Sequence, residues 1–186
     1  MFKNLVFSVL LSFLVVACAS SPKIDTLRAP NVDFSRYSSF TFVDPLGTDR
    51  GGYASLISQQ LKFSIRRELE MLGFTHVDDA EQADLLVNAY THLDEQIRSR
   101  QVSEPYVGPA YWNYRAGFYN TWPGYSATRT ELQTYTEGSL TIDLIDYADK
   151  EMVWEGTARN EITETTRRDA ARAIDQAVAR IFEQFP

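Results

Sequence analysis

His76 and His92 are the two histidines of the chain, and Cys18 is its one cysteine. Facing each other across neighbouring strands, with Asp78 or Asp94 alongside, the two imidazoles would make a small metal site. Their spacing matches no metal-ligand motif, and a single cysteine provides neither a multi-thiolate site nor an internal disulfide. Both are therefore read as edge or surface histidines, and no metal and no other cofactor is expected. Hydrolytic chemistry would need a nucleophile beside a base, yet neither G-x-S-x-G nor H-E-x-x-H occurs. The pair Asp78 and Asp79 sits in a polar turn, where water keeps carboxylate acidity ordinary. Two-carboxylate glycoside hydrolysis has no sequence spacing of its own, so it stays open as an alternative. No catalytic residue is assigned.

Cys18 has a different chemistry in view. The chain opens Met1-Phe2-Lys3-Asn4, is mostly apolar over 5–16, and reaches Val15-Val16-Ala17-Cys18. The apolar run is too short for a permanent membrane helix, which takes about 20 residues, and it suits the h-region of a cleaved signal behind a basic n-region. The segment resembles the lipobox of bacterial lipoproteins. That resemblance implies diacylation of the Cys18 thiol, cleavage before it to remove 1–17, and acylation of the new amine. Two or more chains anchor a protein stably where one does not. Ala19 and Ser20 follow in place of an aspartate, which points to the outer membrane, periplasmic face, rather than to inner-membrane retention.

The 186 residues carry 18 Lys and Arg against 25 Asp and Glu, a formal charge of −7, and loss of Lys3 makes the remainder more acidic. Such a chain has no general attraction for nucleic acid or anionic head groups, so membrane contact is expected through the lipid on Cys18. Gly47, Gly51 and Gly52 lack the Gly-Lys-Ser/Thr of a phosphate loop. Residues 18–30 read as a tether with few large apolar side chains, and 31–186 as a single domain.

Within that domain, Phe40-Thr41-Phe42-Val43 suits a strand. Residues 53–72 read as a helix with Tyr53, Ile57, Leu61, Ile65 and Leu69 on one stripe and Arg66, Arg67, Glu68 and Glu70 towards water. A short strand follows at 75–77. The next, 83–91, sets Leu85, Val87 and Ala89 on one face against Asn88 and Tyr90, with room to extend through Ile97. Residues 132–146 and 152–158 form a hairpin. The last helix carries Ala170, Ile174, Val178, Ile181 and Phe185 on one stripe, with Thr166 and Asp169 as a capping box. The expected fold is α+β, a mainly antiparallel sheet with two amphipathic helices on one face. Its order is β-α-β-β-(long aromatic loop)-β-β-α.

The oddity is 99–131, which shows neither strand nor helix periodicity but holds Tyr106, Tyr111, Trp112, Tyr114, Phe118, Tyr119, Trp122 and Tyr125 among prolines and glycines. Disordered segments are poor in aromatics, and long loops in compact domains tend to carry function. The rings either close one end of the sheet as a second core or present a surface. Tyrosine and tryptophan bring rigid amphipathic area, and their faces also stack on sugars. Tyr111, Trp112, Tyr114, Tyr119 and Trp122, within 104–126, are the candidate residues for an envelope protein or glycan partner, with Trp112 and Trp122 as anchors.

Phe34-Ser35-Arg36-Tyr37-Ser38-Ser39-Phe40-Thr41-Phe42, Leu72-Gly73-Phe74, Ala83-Asp84-Leu85-Leu86-Val87, Gly138-Ser139-Leu140-Thr141-Ile142-Asp143-Leu144, Val153-Trp154-Glu155-Gly156-Thr157-Ala158 and Ile181-Phe182-Glu183-Gln184-Phe185-Pro186 together resemble the bacterial lipoprotein family called domain of unknown function 4136. These are packing motifs. The resemblance implies an envelope lipoprotein with an α+β domain and assigns no reaction. The resulting expectation is a lipid-anchored cell-envelope protein with a non-enzymatic binding or scaffolding role. The alternative is an envelope enzyme or glycan-binding protein acting on cell-wall material.

Overall fold

The computed structural model describes residues 21–49, 53–106, 108–121 and 125–186. The expected signal segment, Cys18, Gly51, Gly52 and Trp122 lie outside the described residues.

A six-stranded sheet forms the body. Its strands are β1 (Lys23–Arg28), β2 (Ser39–Phe42), β3 (Thr75–His76), β4 (Leu85–Tyr106), β7 (Tyr125–Asp146) and β8 (Met152–Glu161), in spatial order β1-β8-β7-β4-β2-β3. Only β2 runs parallel to its neighbours, β3 and β4; the other pairs are antiparallel. Two further strands, β5 (Ala110–Asn113) and β6 (Phe118–Thr121), pair only with each other among the described residues.

Among the described residues, three α-helices complete the fold: α1 (Leu56–Met71), α2 (Glu164–Arg168) and α3 (Ala170–Phe182). Ser55 caps α1, its Oγ accepting the Ser58 N–H at 3.0 Å. The expected Thr166–Asp169 capping box is instead two caps: Thr163 Oγ1 accepts from the Thr166 N–H at 3.2 Å, and Asp169 Oδ1 from the Arg172 N–H at 3.4 Å. Asp169 leaves helical geometry and divides the expected single helix.

The α+β expectation stands. Leu61, Ile65 and Leu69 of α1 and Val178, Ile181 and Phe182 of α3 cover the sheet face made by Phe40, Leu85, Val87, Ile142, Leu144 and Trp154. Each fully buried side chain of this size contributes about 1.5–3 kcal/mol. Trp154 stacks on Phe182 at 5.6 Å between centroids, and Phe185 meets the indole edge-on at 5.4 Å. Gly156 lies under Ile181 and the Trp154 indole, with no space for a Cβ, so α3 approaches β8 more closely than any other residue would allow. The two large helices are joined by Gln60 and Ser64, which both donate to Asp175 Oδ1.

Four further expectations need correction. Residues 23–28 of the expected tether are the edge strand β1. Its side chains are mostly exposed, so it is held by backbone pairing with β8 and leaves no burial pattern to read. The α1 stripe fails at its start: Tyr53 precedes the helix and is exposed, and Ile57 is 38% exposed. Glu68, expected in water, is 9% exposed and pairs with Arg67 at 2.8 Å. The long aromatic loop is largely a pair of strands, as described next.

Candidate functional site

β4 and β7 are each 22 residues long and stay in register from Leu85–Asp146 to Tyr106–Tyr125. The neighbouring strand β8 ends where Glu161 meets Glu137. Beyond that level, 95–106 and 125–136 have only each other as strand partners among the described residues. They form a two-stranded arm of roughly 40 Å at about 3.3 Å per residue. At its root Ile162 fills the space above Gly138, close to Leu93.

The two sides of the arm differ in chemistry. Residues directly opposite each other share a side. Leu93, Ile97, Ser99, Gln101 and Ser103 therefore line one side with Thr136, Thr134, Leu132, Thr130 and Thr128, and Glu95 is its one charge. Leu93, Ile97 and Leu132 are 65%, 69% and 73% exposed there. The other side is held by ionic and ring contacts. Arg129 bridges Glu104 at 3.1 Å and Glu131 at 2.5 Å, and Arg98 lies 4.5 Å above the Tyr135 ring and 3.4 Å from Glu161. This alternation of uncharged with charged residues is why 99–131 shows no hydrophobic period. A two-stranded ribbon has no core to bury.

The strands β5 and β6 sit at the far end of the arm. Trp112 faces Tyr119 across them, ring centroids 5.0 Å apart and edge to face. Gly117 takes a positive φ of 73° in their turn, where Asn113 Oδ1 accepts the N–H groups of Arg115 and Ala116 at 3.1 Å each. The structure therefore gathers Tyr111, Trp112, Tyr114 and Tyr119 at one tip. Tyr114 is 91% exposed, Tyr119 and Phe118 are exposed, and Tyr111 and Trp112 lie just above one-third exposure. None of these rings belongs to the core, so for them the second-core alternative falls away.

The histidines are separated. His76 is on β3, level with Phe40 and Leu85, whereas His92 is seven positions further along β4. Burial and the Arg66 guanidinium, 3.0 Å away, hold the His76 imidazole below its usual acidity range. His92 pairs with Asp94 at 3.0 Å on the arm's charged side.

At the end of the body away from the arm, Phe34, Tyr37, Leu72, Phe74 and Phe185 line an open depression of about 320 Å³. Phe185 meets Phe34 at 5.2 Å and Phe74 at 5.9 Å, both edge-on. Beside it, Asp146 accepts from Arg36 Nη2 at 2.5 Å, from the Tyr37 hydroxyl at 2.9 Å and from the Ala148 and Asp149 N–H groups. Burial and the Asp146 carboxylate push the Tyr37 phenol up to about 12, so it stays a donor. This cluster closes the sheet end and fixes the β7–β8 turn. A second depression, about 240 Å³, brings Glu68 and Glu183 to the helix ends, but each carboxylate is already bonded to its own arginine, Arg67 and Arg180.

A family model described as a domain of unknown function (DUF4136) matches residues 24–186. The chain belongs to this family. The match starts inside β1, which agrees with that strand being part of the domain. A DUF4136 family protein from Bacteroides thetaiotaomicron, solved by crystallography, is similar at a TM-score of 0.53 and 15% identity, over 89% of this chain and 96% of that one. A PDZ domain protein from Parabacteroides distasonis is similar at 0.55 and 17% identity over 89% of this chain. The DUF4136 chain covers 36% of the length of that protein. Both likenesses establish the fold alone. No curated protein matches by sequence.

Proposed function

We propose that this DUF4136 protein is a lipid-anchored component of the bacterial cell envelope. It is held through Cys18 on the periplasmic face of the outer membrane, and its role is binding or scaffolding rather than catalysis. The observation that carries the reading is the arm. A long two-stranded ribbon costs ordering entropy and gains little burial, and here it carries a cluster of exposed rings clear of the body. Tyrosine and tryptophan in that position supply contact area at low entropic cost. Trp112 is the central anchor, with Tyr111, Tyr114 and Tyr119 around it and Trp122 close by in sequence. The lipobox motif and the absence of an aspartate after Cys18 support the anchor and its address.

Exposed rings of this kind also stack on sugar faces, which supports a second reading as a glycan-binding protein. An envelope enzyme is less well supported, because the two carboxylates that share a depression are each engaged by arginine. The test is a photo-reactive residue in place of Trp112, activated in intact envelopes and followed by mass spectrometry. One dominant adduct, lost when the tip rings are removed, is the expected result. Scattered adducts without a dominant species would overturn the binding role.

A further inference from the structure

We infer that the aromatic tip of the arm seats in the head-group layer of the same bilayer that holds the lipid, giving the protein a second membrane contact. The inference rests on the proposed acylation of Cys18 and deepens that reading by assigning the tip its partner.

Strand direction carries the argument. β1 begins at Lys23 opposite Arg159, Arg159 pairs with Ser139, and Ser139 pairs with His92. Lys23 therefore lies at the arm end of the sheet, near the level where the arm leaves the body. Lys23 is five residue steps from Cys18, a reach of roughly 17 Å even when fully extended. A bilayer at the opposite end of the body is out of range, because that reach would be used up in running back alongside β1. The bilayer is thus held to the arm side or the flank of the body, and an arm of roughly 40 Å meets its surface by tilting.

The chemistry of the tip fits that surface. No acidic residue occurs between Glu104 and Glu131, in a chain of net charge −7, and Arg115 is the one charge of the β5–β6 turn. Trp112, Tyr114, Phe118 and Tyr119 are exposed there. Tryptophan and tyrosine settle at membrane interfaces because their rings are apolar and their polar edges stay wet. An acid-free aromatic tip avoids the repulsion from anionic lipid that the rest of the chain would feel. Among the described residues no helix is long and apolar enough to cross a membrane, and the contact proposed is interfacial.

The test uses the full acylated chain carrying Trp122→Phe, reconstituted in phosphatidylethanolamine–phosphatidylglycerol vesicles whose acyl chains are brominated near the head group. Trp154 is buried at 2% exposure and serves as an unquenched reference. Seating of the tip should remove roughly half of the tryptophan emission, the Trp112 share. A further Trp112→Phe substitution should abolish that loss. A mass spectrum showing acylated Cys18 together with unquenched Trp112 overturns the inference and leaves the anchor standing. A mass spectrum without the lipid overturns both. Unquenched Trp112 that crosslinks to an envelope protein also overturns it and returns the tip to a protein partner.

Discussion

Trp112 and Tyr119 meet at the end of the arm, 5.0 Å between ring centroids, on strands that among the described residues pair only with each other. An edge-to-face pair in this setting is worth about 1 kcal/mol locally and is disconnected from the cooperative core. Converting both residues to alanine should therefore leave the thermal midpoint nearly unchanged while abolishing the adduct or vesicle contact at the tip. Calorimetry alongside the crosslinking assay checks this. A midpoint that collapses would make the rings part of the fold's stability.

The same logic extends to the whole arm. Among the described residues, the core cluster draws on none from 95–136. Replacing 95–136 by an Asn-Gly turn that joins Asp94 to Glu137 should give a body that still melts in one cooperative transition, because a two-residue turn suits an antiparallel pair. Hydrogen exchange of the remaining β4 and β7 amides is the readout, and loss of protection in Leu85, Val87 and Ile142 would refute the separation of arm from body.

Gly156→Ala should destabilise the domain by about 1–3 kcal/mol. Its Cβ would meet the Ile181 side chain and the Trp154 indole, both of which are buried in the core. Urea unfolding at fixed pH measures the change. An unchanged midpoint would mean that α3 is not seated on β8.

Asp146 should make the fold acid-sensitive. Burial pushes its pKa up, but the Asp149 N–H, the Tyr37 hydroxyl, the Ala148 N–H and the Arg36 charge outweigh it and hold the carboxyl below its ordinary value. Asp84 is lowered in the same way by the Ser38 N–H, against burial, with the Ser39 hydroxyl, Ser38 hydroxyl and Ser39 N–H adding to it. A depressed native value stabilises above the unfolded value, near 4, and that stabilisation is lost as the pH falls through the native one. Asp146→Asn should cost about 2 kcal/mol at neutral pH, and the gap to the parent should close below about pH 4. A gap that persists at low pH would assign the effect to packing.

Asp143 should behave in the opposite sense. It is 4% exposed, its Oδ1 has no hydrogen-bond partner among the described residues, and Asn88 Nδ2 donates to its Oδ2 at 3.2 Å. Burial raises the carboxyl above its ordinary value, the Asn88 bond opposes this and the Glu155 charge adds to it. A raised native value leaves the stabilisation intact below the unfolded value and removes it as the pH rises through the native one. Asp143→Asn should thus stabilise the domain at neutral pH by about 1 kcal/mol, with the gain fading as the pH falls through the raised native value and gone below about pH 4. Denaturation midpoints across that range decide it.

Periodicity in the sequence was enough for the elements that bury a face. Leu61, Ile65 and Leu69 recur at helical spacing, and Leu85, Val87 and Ala89 alternate, because burial selects the residue type at each step. The hairpin of β7 and β8 and the α+β class were legible for the same reason, and so were the residues that resemble the family. The tertiary structure alone decided what depends on pairing rather than burial. β1 is held by backbone bonds to β8 with most side chains exposed. The arm's two sides differ in charge rather than in apolar content. Tyr111, Trp112, Tyr114 and Tyr119 were visible as an aromatic cluster from the chain, but whether they closed a core or stood on a projecting tip was set by the register of β4 against β7. Backbone hydrogen bonds form irrespective of side chain, so the sequence leaves a weak trace of which strand extends and how far, whereas a buried face writes itself into every second or fourth residue.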